Sequence, residues 1–135
     1  MMRKVKIKKV KGKLYTSNFS KIRKHDSCVR ISVARFNPNW LRKDDYDLWF
    51  EDLAPEIELL TKIKKKEIDW AEYVKIYKEQ LRQEPAQNQL YKLKFLLDEG
   101  IDVCIYCYEA SDNPECHRHI ISEVFSNLGY HVTEI

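Results

Sequence analysis

Residues 101–108 (Ile-Asp-Val-Cys-Ile-Tyr-Cys-Tyr) form a nearly unbroken apolar run. Gly100 precedes it, and before that residues 88–99 carry Leu90, Leu93 and Leu97 at helical spacing. A run this short, closed off by a helix-ending glycine, reads as a strand covered on both faces. Such strands belong to parallel sheets flanked by helices. This one segment therefore points to an α/β fold before the rest of the chain is read.

The surrounding pattern agrees. Residues 4–10 (Lys-Val-Lys-Ile-Lys-Lys-Val) alternate as a half-buried strand does, and residues 28–34 (Cys-Val-Arg-Ile-Ser-Val-Ala) are β-branched and alternate as well. Between them, residues 15–24 read as loop or a short irregular element. Residues 46–53 read as a short helix with Leu48, Trp49 and Leu53 turned inward. Pro55 suits a helix first turn, and residues 56–66 continue as helix to a basic end at Lys64, Lys65 and Lys66. Asp69 can cap the next helix, residues 70–82, where Trp70, Tyr73, Val74, Tyr77 and Leu81 recur at spacings of three and four. That aromatic stripe reads as core. Pro85 breaks the chain ahead of the 88–99 helix. After the apolar strand, residues 110–115 are loop, 116–128 helix and 130–135 a last strand, which makes a βαβ unit. The expected architecture is a two-layer or three-layer α/β sandwich with a small, mostly parallel sheet and flanking helices. A length of 135 residues suits one domain, with a basic N-terminal strand and loop over 1–27 and a core over 28–135.

Charge is distributed unevenly. Residues 1–24 hold ten Lys or Arg and no acid, so the remainder of the chain has 14 basic and 21 acidic residues, a net of −7 against the overall +3. A basic head can bind nucleic-acid phosphates through Lys4, Lys6, Lys8 and Lys9. The same lysines also suit the solvent face of an edge strand, where they block sheet-to-sheet aggregation. No apolar stretch is long enough to cross a membrane, and none follows the basic head as a secretory signal would. With four cysteines and no such signal, a cytoplasmic protein with free thiols is expected.

Three of those cysteines, Cys104, Cys107 and Cys116, cluster beside His117 and His119. In an α/β sheet, ligands bind beyond the carboxyl ends of strands and next to helix N-termini, which is where residues 107–119 fall. A helix start attracts anions, and Arg118 adds a guanidinium fork. Helical spacing turns Cys116 and His117 toward the sheet and His119 toward solvent. Strand alternation places Cys107 and Glu109 on one face, with Cys104, Tyr106 and Tyr108 on the other. Glu109, Cys116, His117 and Arg118 thus converge, and Arg35, just past the second predicted strand, can reach the same crevice. A surface pair with an Asp near 44–47 is the plainer role for Arg35.

Three readings stay open for this cluster. Cys116 is a nucleophile beside His117, with Glu109 moving protons. Alternatively, Cys107, Cys116 and His117 hold zinc. Or these are buried thiols and a core-capping histidine, with Arg118 in an ordinary ion pair. No cofactor is expected; zinc is the alternative. The expected partner is a small anionic ligand, such as a nucleotide or nucleic-acid component. The competing function is a non-enzymatic nucleic-acid or protein-binding module built on the basic head.

Cys107-Tyr-Glu109 followed by Cys116-His117-Arg118 at a helix start resembles the DUF488 family of uncharacterised proteins. Leu53-Ala54-Pro55 followed by Leu59 is similar to its Ala-Pro segment. Asp69-Trp70-x-x-Tyr73 with Tyr77-x-x-x-Leu81 is similar to its aromatic helix, and Arg35-Phe-Asn-Pro38 to its Arg-containing turn. The likeness covers about residues 28–128 and leaves the lysine-rich N-terminus unexplained. It implies an α/β fold and that Glu109, Cys116, His117 and Arg118 act together. It implies no particular reaction.

Overall fold

The computed structural model describes residues 10–109 and 113–135. Its frame is a five-stranded parallel sheet: β1 (Leu14–Asn18), β2 (Val29–Ser32), β3 (Leu48–Trp49), β4 (Val103–Cys107) and β5 (Val132–Glu134). The strand order is β3-β2-β4-β1-β5, and every pairing is parallel. The apolar 101–108 run supplies β4, central and buried along its whole length. Val103, Ile105 and Cys107 face one core cluster and Cys104 and Tyr106 the other, as strand alternation requires.

Four helices follow the sequence pattern: α1 (Ile57–Lys64), α2 (Trp70–Leu81), α3 (Glu84–Asp98) and α4 (His117–Asn127). All four contribute to the same core cluster as Val103, Ile105 and Cys107. The opposite face is covered by a 3-10 turn, Phe19–Lys24, and by the loops that carry Leu41 and Tyr46. The sandwich is therefore one helical layer on a sheet with a thin irregular covering behind. Among the described residues, no helix is long and apolar enough to cross a membrane.

Caps agree with the residues that suggested them. The Asp69 side chain accepts from the Glu72 N–H at 2.9 Å. Gly100 (φ 83°) and Gly129 (φ 94°) adopt the left-handed conformation past α3 and α4. Behind them the Ile101 and Tyr130 N–H groups reach back to the Leu96 and Phe125 carbonyls.

Four expectations need correction. Residues 15–18, part of the 15–24 stretch read as loop or a short irregular element, belong to β1, paired on both sides. Leu48 and Trp49, read as the inward face of a helix, form the short exposed edge strand β3, and a single 3-10 turn, Glu51–Leu53, follows. Pro85 does not break the chain; it lies in the first turn of α3, where its missing N–H leaves no helical bond unmade. Four free thiols were expected, but Cys107 and Cys116 are paired as a disulfide, and Cys28 and Cys104 lie outside it. The predicted strand over residues 4–10, with Lys4, Lys6, Lys8 and Lys9, lies outside the described residues except for Val10.

Candidate functional site

The carboxyl ends of β2 and β4, the first turns of α2 and α4 and the C-terminal half of α1 surround a cleft of about 560 Å³. Its walls are aromatic and aliphatic: Phe36, Trp70, Tyr73 and Tyr108, with Leu60 and Ile63. Arg35 and Lys64 bring positive charge to it, Glu109 and Glu115 negative charge. Cys107, Cys116 and His117 line it at the junction of β4 and α4. Five of the sequence-predicted residues (Arg35, Cys107, Glu109, Cys116, His117) therefore meet in one concavity.

Cys107 is the last residue of β4 and Cys116 is the N-cap of α4. A strand end and a helix start thereby bring two sulfurs together across a loop. Next to them the His117 ring is buried, with Nε2 2.6 Å from the Val33 carbonyl. A carbonyl only accepts, so Nε2 carries the hydrogen and Nδ1 is left as an acceptor. Nδ1 faces Cys116 Sγ at 3.8 Å. Burial pushes the His117 pKa down to about 4, and the nearby Arg118 and Arg35 charges add to that. The imidazole is therefore neutral at neutral pH, and the edge of Tyr77 packs on it.

Arg118 departs from its expected place. It does not line the cleft; its side chain is fully buried beneath the sulfurs. Nε and Nη2 grip the Glu134 carboxylate of β5 at 3.1 and 2.9 Å. Nη1 donates to Cys107 Sγ at 2.9 Å and Cys116 Sγ at 3.4 Å. The same carboxylate accepts from Thr16 Oγ1. Because β5 lies beside β1 and both lie under α4, three elements fix one guanidinium.

Arg35 does reach the crevice. Its Nε and Nη2 donate to the Pro55 and Ala54 carbonyls at 3.1 and 3.0 Å, which braces the guanidinium along the cleft wall. Of the aspartates near 44–47, Asp45 pairs with Arg23 and Asp47 with Arg30. Glu109 is exposed at the rim and accepts from Asn113 Nδ2 at 3.0 Å. Burial pushes the Tyr73 hydroxyl pKa up and the Glu109 charge raises it further, so Tyr73 stays protonated. His119, expected to face solvent, is half-buried, with Nε2 3.1 Å from the Asn113 carbonyl.

Sequence reading missed Glu134, and it assigned Trp70, Tyr73 and Lys64 to core or solvent. Trp70 and Tyr73 do stack on each other and join the core cluster, but they also form a cleft wall. A single carboxylate in a short edge strand gives no signal in spacing. Cys107, Cys116 and His117 offer donor atoms within 4.8 Å of one another. That would supply three ligands for zinc, but no fourth Cys, His, Asp or Glu joins the group among the described residues, and Arg118 sets a cation against both sulfurs.

One family model matches, over residues 14–129: DUF488-N3a, described as the active DUF488-N3 subclade. No curated protein and no solved structure matches the chain.

Proposed function

The chain belongs to the DUF488 family, and on that footing we propose that its cleft binds and acts on a small anionic ligand with a planar ring, a nucleotide or nucleic-acid component. Once the Cys107–Cys116 disulfide is reduced, Cys116 is the reacting group. The observation that carries this reading is the convergence, at the floor of one aromatic-walled cleft, of Cys116 Sγ with the open Nδ1 of a neutral His117 and the Nη1 of a buried Arg118. A guanidinium N–H aimed at a sulfur stabilises the thiolate, which is the nucleophilic form. Before it ionises, the thiol points its hydrogen at Nδ1 of the neutral His117, which orients the sulfur.

The other groups divide the ligand between them. Phe36, Trp70, Tyr73 and Tyr108 supply flat apolar surface for a ring. Arg35, held by two carbonyls, supplies a fork for a phosphate or carboxylate. Cys116 attacks an electrophilic carbon of the ligand. The bond from that carbon to the departing group breaks, solvent protonates the group, and the Glu109 carboxylate at the rim then takes a proton from the water that displaces the sulfur and releases the product. The word "active" in the description of the matched subclade accords with a reacting group here.

Calorimetric titration of the reduced protein tests the reading with nucleoside monophosphates, the parent nucleosides and inorganic phosphate. The monophosphates should bind more tightly than either fragment. Arg35→Met should weaken them by about tenfold or more, the value of one lost charge-assisted contact. If no monophosphate binds, or if Arg35→Met binds like the wild type, the reading fails.

A further inference from the structure

A nucleophile needs one sulfur, yet two share the floor of the cleft. Cys107 and Cys116 both line it, and their sulfurs are within bonding contact across a separation of nine residues. The same Arg118 Nη1 donates to each, so one guanidinium favours the thiolate at either position. A small oxidant entering the cleft therefore meets an activated thiol with a second thiol beside it. This is the arrangement in which an oxidised cysteine is captured before it is oxidised further.

We propose that Cys107 is the resolving thiol of Cys116, and that a peroxide converts the pair reversibly to a disulfide that takes Cys116 out of action. As regulation of the site, this rests on the reading that Cys116 reacts there; as chemistry at the two sulfurs, it stands on their placement alone. In the first step the Cys116 thiolate attacks one peroxide oxygen. The O–O bond breaks, hydroxide leaves, and sulfur becomes a sulfenic acid. In the second step the Cys107 thiolate attacks that sulfur, the S–O bond breaks, and a second hydroxide leaves. With two protons taken up from solvent, two thiolates and one hydrogen peroxide yield one disulfide and two waters. A dithiol returns the two electrons by exchange.

The chain carries its own controls. Cys28 and Cys104 are buried on the opposite face of the sheet, under Phe19 and Tyr106. Neither lines the cleft. Burial pushes the Cys104 thiol up, away from the reactive form.

The test is to treat the fully reduced protein with a small molar excess of hydrogen peroxide, quench in acid, and read intact mass and peptide maps. The wild type should lose about 2 Da and two of its four thiols, give a Cys107–Cys116 linked peptide, and recover both thiols in dithiothreitol. Cys107→Ser should instead gain about 32 Da at Cys116, the sulfinic acid. The wild-type map stands even if that variant folds poorly. A wild-type product that is unlinked and oxidised at Cys116, a link through Cys28 or Cys104, or no reaction at either cleft sulfur would overturn the proposal. Nucleotide binding separates the two claims. A reversible link in a protein that binds no nucleotide removes the function proposed above and leaves this chemistry intact. Binding without a link does the reverse.

Discussion

His117 and Arg118 are neighbours at the start of α4, yet one is held neutral and the other charged. Arg118 keeps its charge in a fully buried position because Glu134 meets it with two oxygens and the sulfurs take the remaining arm. A buried guanidinium without such partners would cost several kcal/mol. His117 has no carboxylate partner among its described contacts, and its pKa falls to about 4 from the ordinary 6.5. The unfolded chain therefore takes up a proton at this residue before the folded chain does. Stability is at its full value above the unfolded pKa and is lost as pH falls toward the folded one. Between neutral pH and about pH 5 the loss from His117 is about 2 kcal/mol. His25 and His119 are also shifted downward, chiefly by burial, and push the same way, so the contribution must be isolated by substitution. Denaturant midpoints at both pH values for wild type and His117→Gln do this. The variant should lose less on acidification, and equal losses would show that His117 is not the buried neutral base described.

At the scale of elements, the sheet depends on a strand whose apolar content is low. In β1, Thr16, Ser17 and Asn18 are buried, and each has a named partner: Thr16 with Glu134, Ser17 with the Ile135 carbonyl, Asn18 with the Ser20 N–H. Hydrogen-bonded polar residues can fill a sheet centre, but a count of apolar alternation does not register them. The segment leading into β1 is equally constrained. Gly12 N–H donates to the Leu97 carbonyl at 2.7 Å, and a Cβ added at Gly12 would overlap the Ile101 carbonyl. Gly12→Ala should therefore lower stability by about 1–3 kcal/mol, read as a lower denaturant midpoint at unchanged slope. An unchanged midpoint would mean the corner relaxes freely.

The same contrast explains what could be read in advance. The apolar run of β4, the Asp69 cap, the stripe of α2 and the helix start at Cys116 and His117 are local patterns, and they appear in the structure where the sequence placed them. The interior position of β1, the edge strand at Leu48–Trp49 and the grip of Glu134 on Arg118 depend on pairings between distant segments. At the site, Arg118 was legible as a charged group at a helix start. That it would turn under the sulfurs, away from the cleft, was not, because its partner lies 16 residues on, in another strand.

For the molecule as a whole, the parallel sheet sorts the cysteines by face. Cys107 and Cys116 end on the helical side, in a cleft with Arg35 and an aromatic wall. Cys28 and Cys104 end behind the sheet and do not line that cleft. The uneven charge takes on a more local meaning. In a body of net −7 outside the basic head, the cleft carries Arg35 and Lys64 against Glu109 and Glu115, and Arg35 is the group to which the proposed function gives the anion. The central claim is that Cys116 reacts from the floor of that cleft, and residue-resolved alkylation tests it most directly. The fully reduced protein is treated with iodoacetamide, with and without a nucleoside monophosphate, and each cysteine is followed by mass spectrometry. Cys116 should be modified well ahead of Cys28 and Cys104, and nucleotide at about ten times its Kd should slow that reaction by about tenfold. A Cys116 no faster than the two cysteines behind the sheet, or one that nucleotide leaves unprotected, would contradict the account.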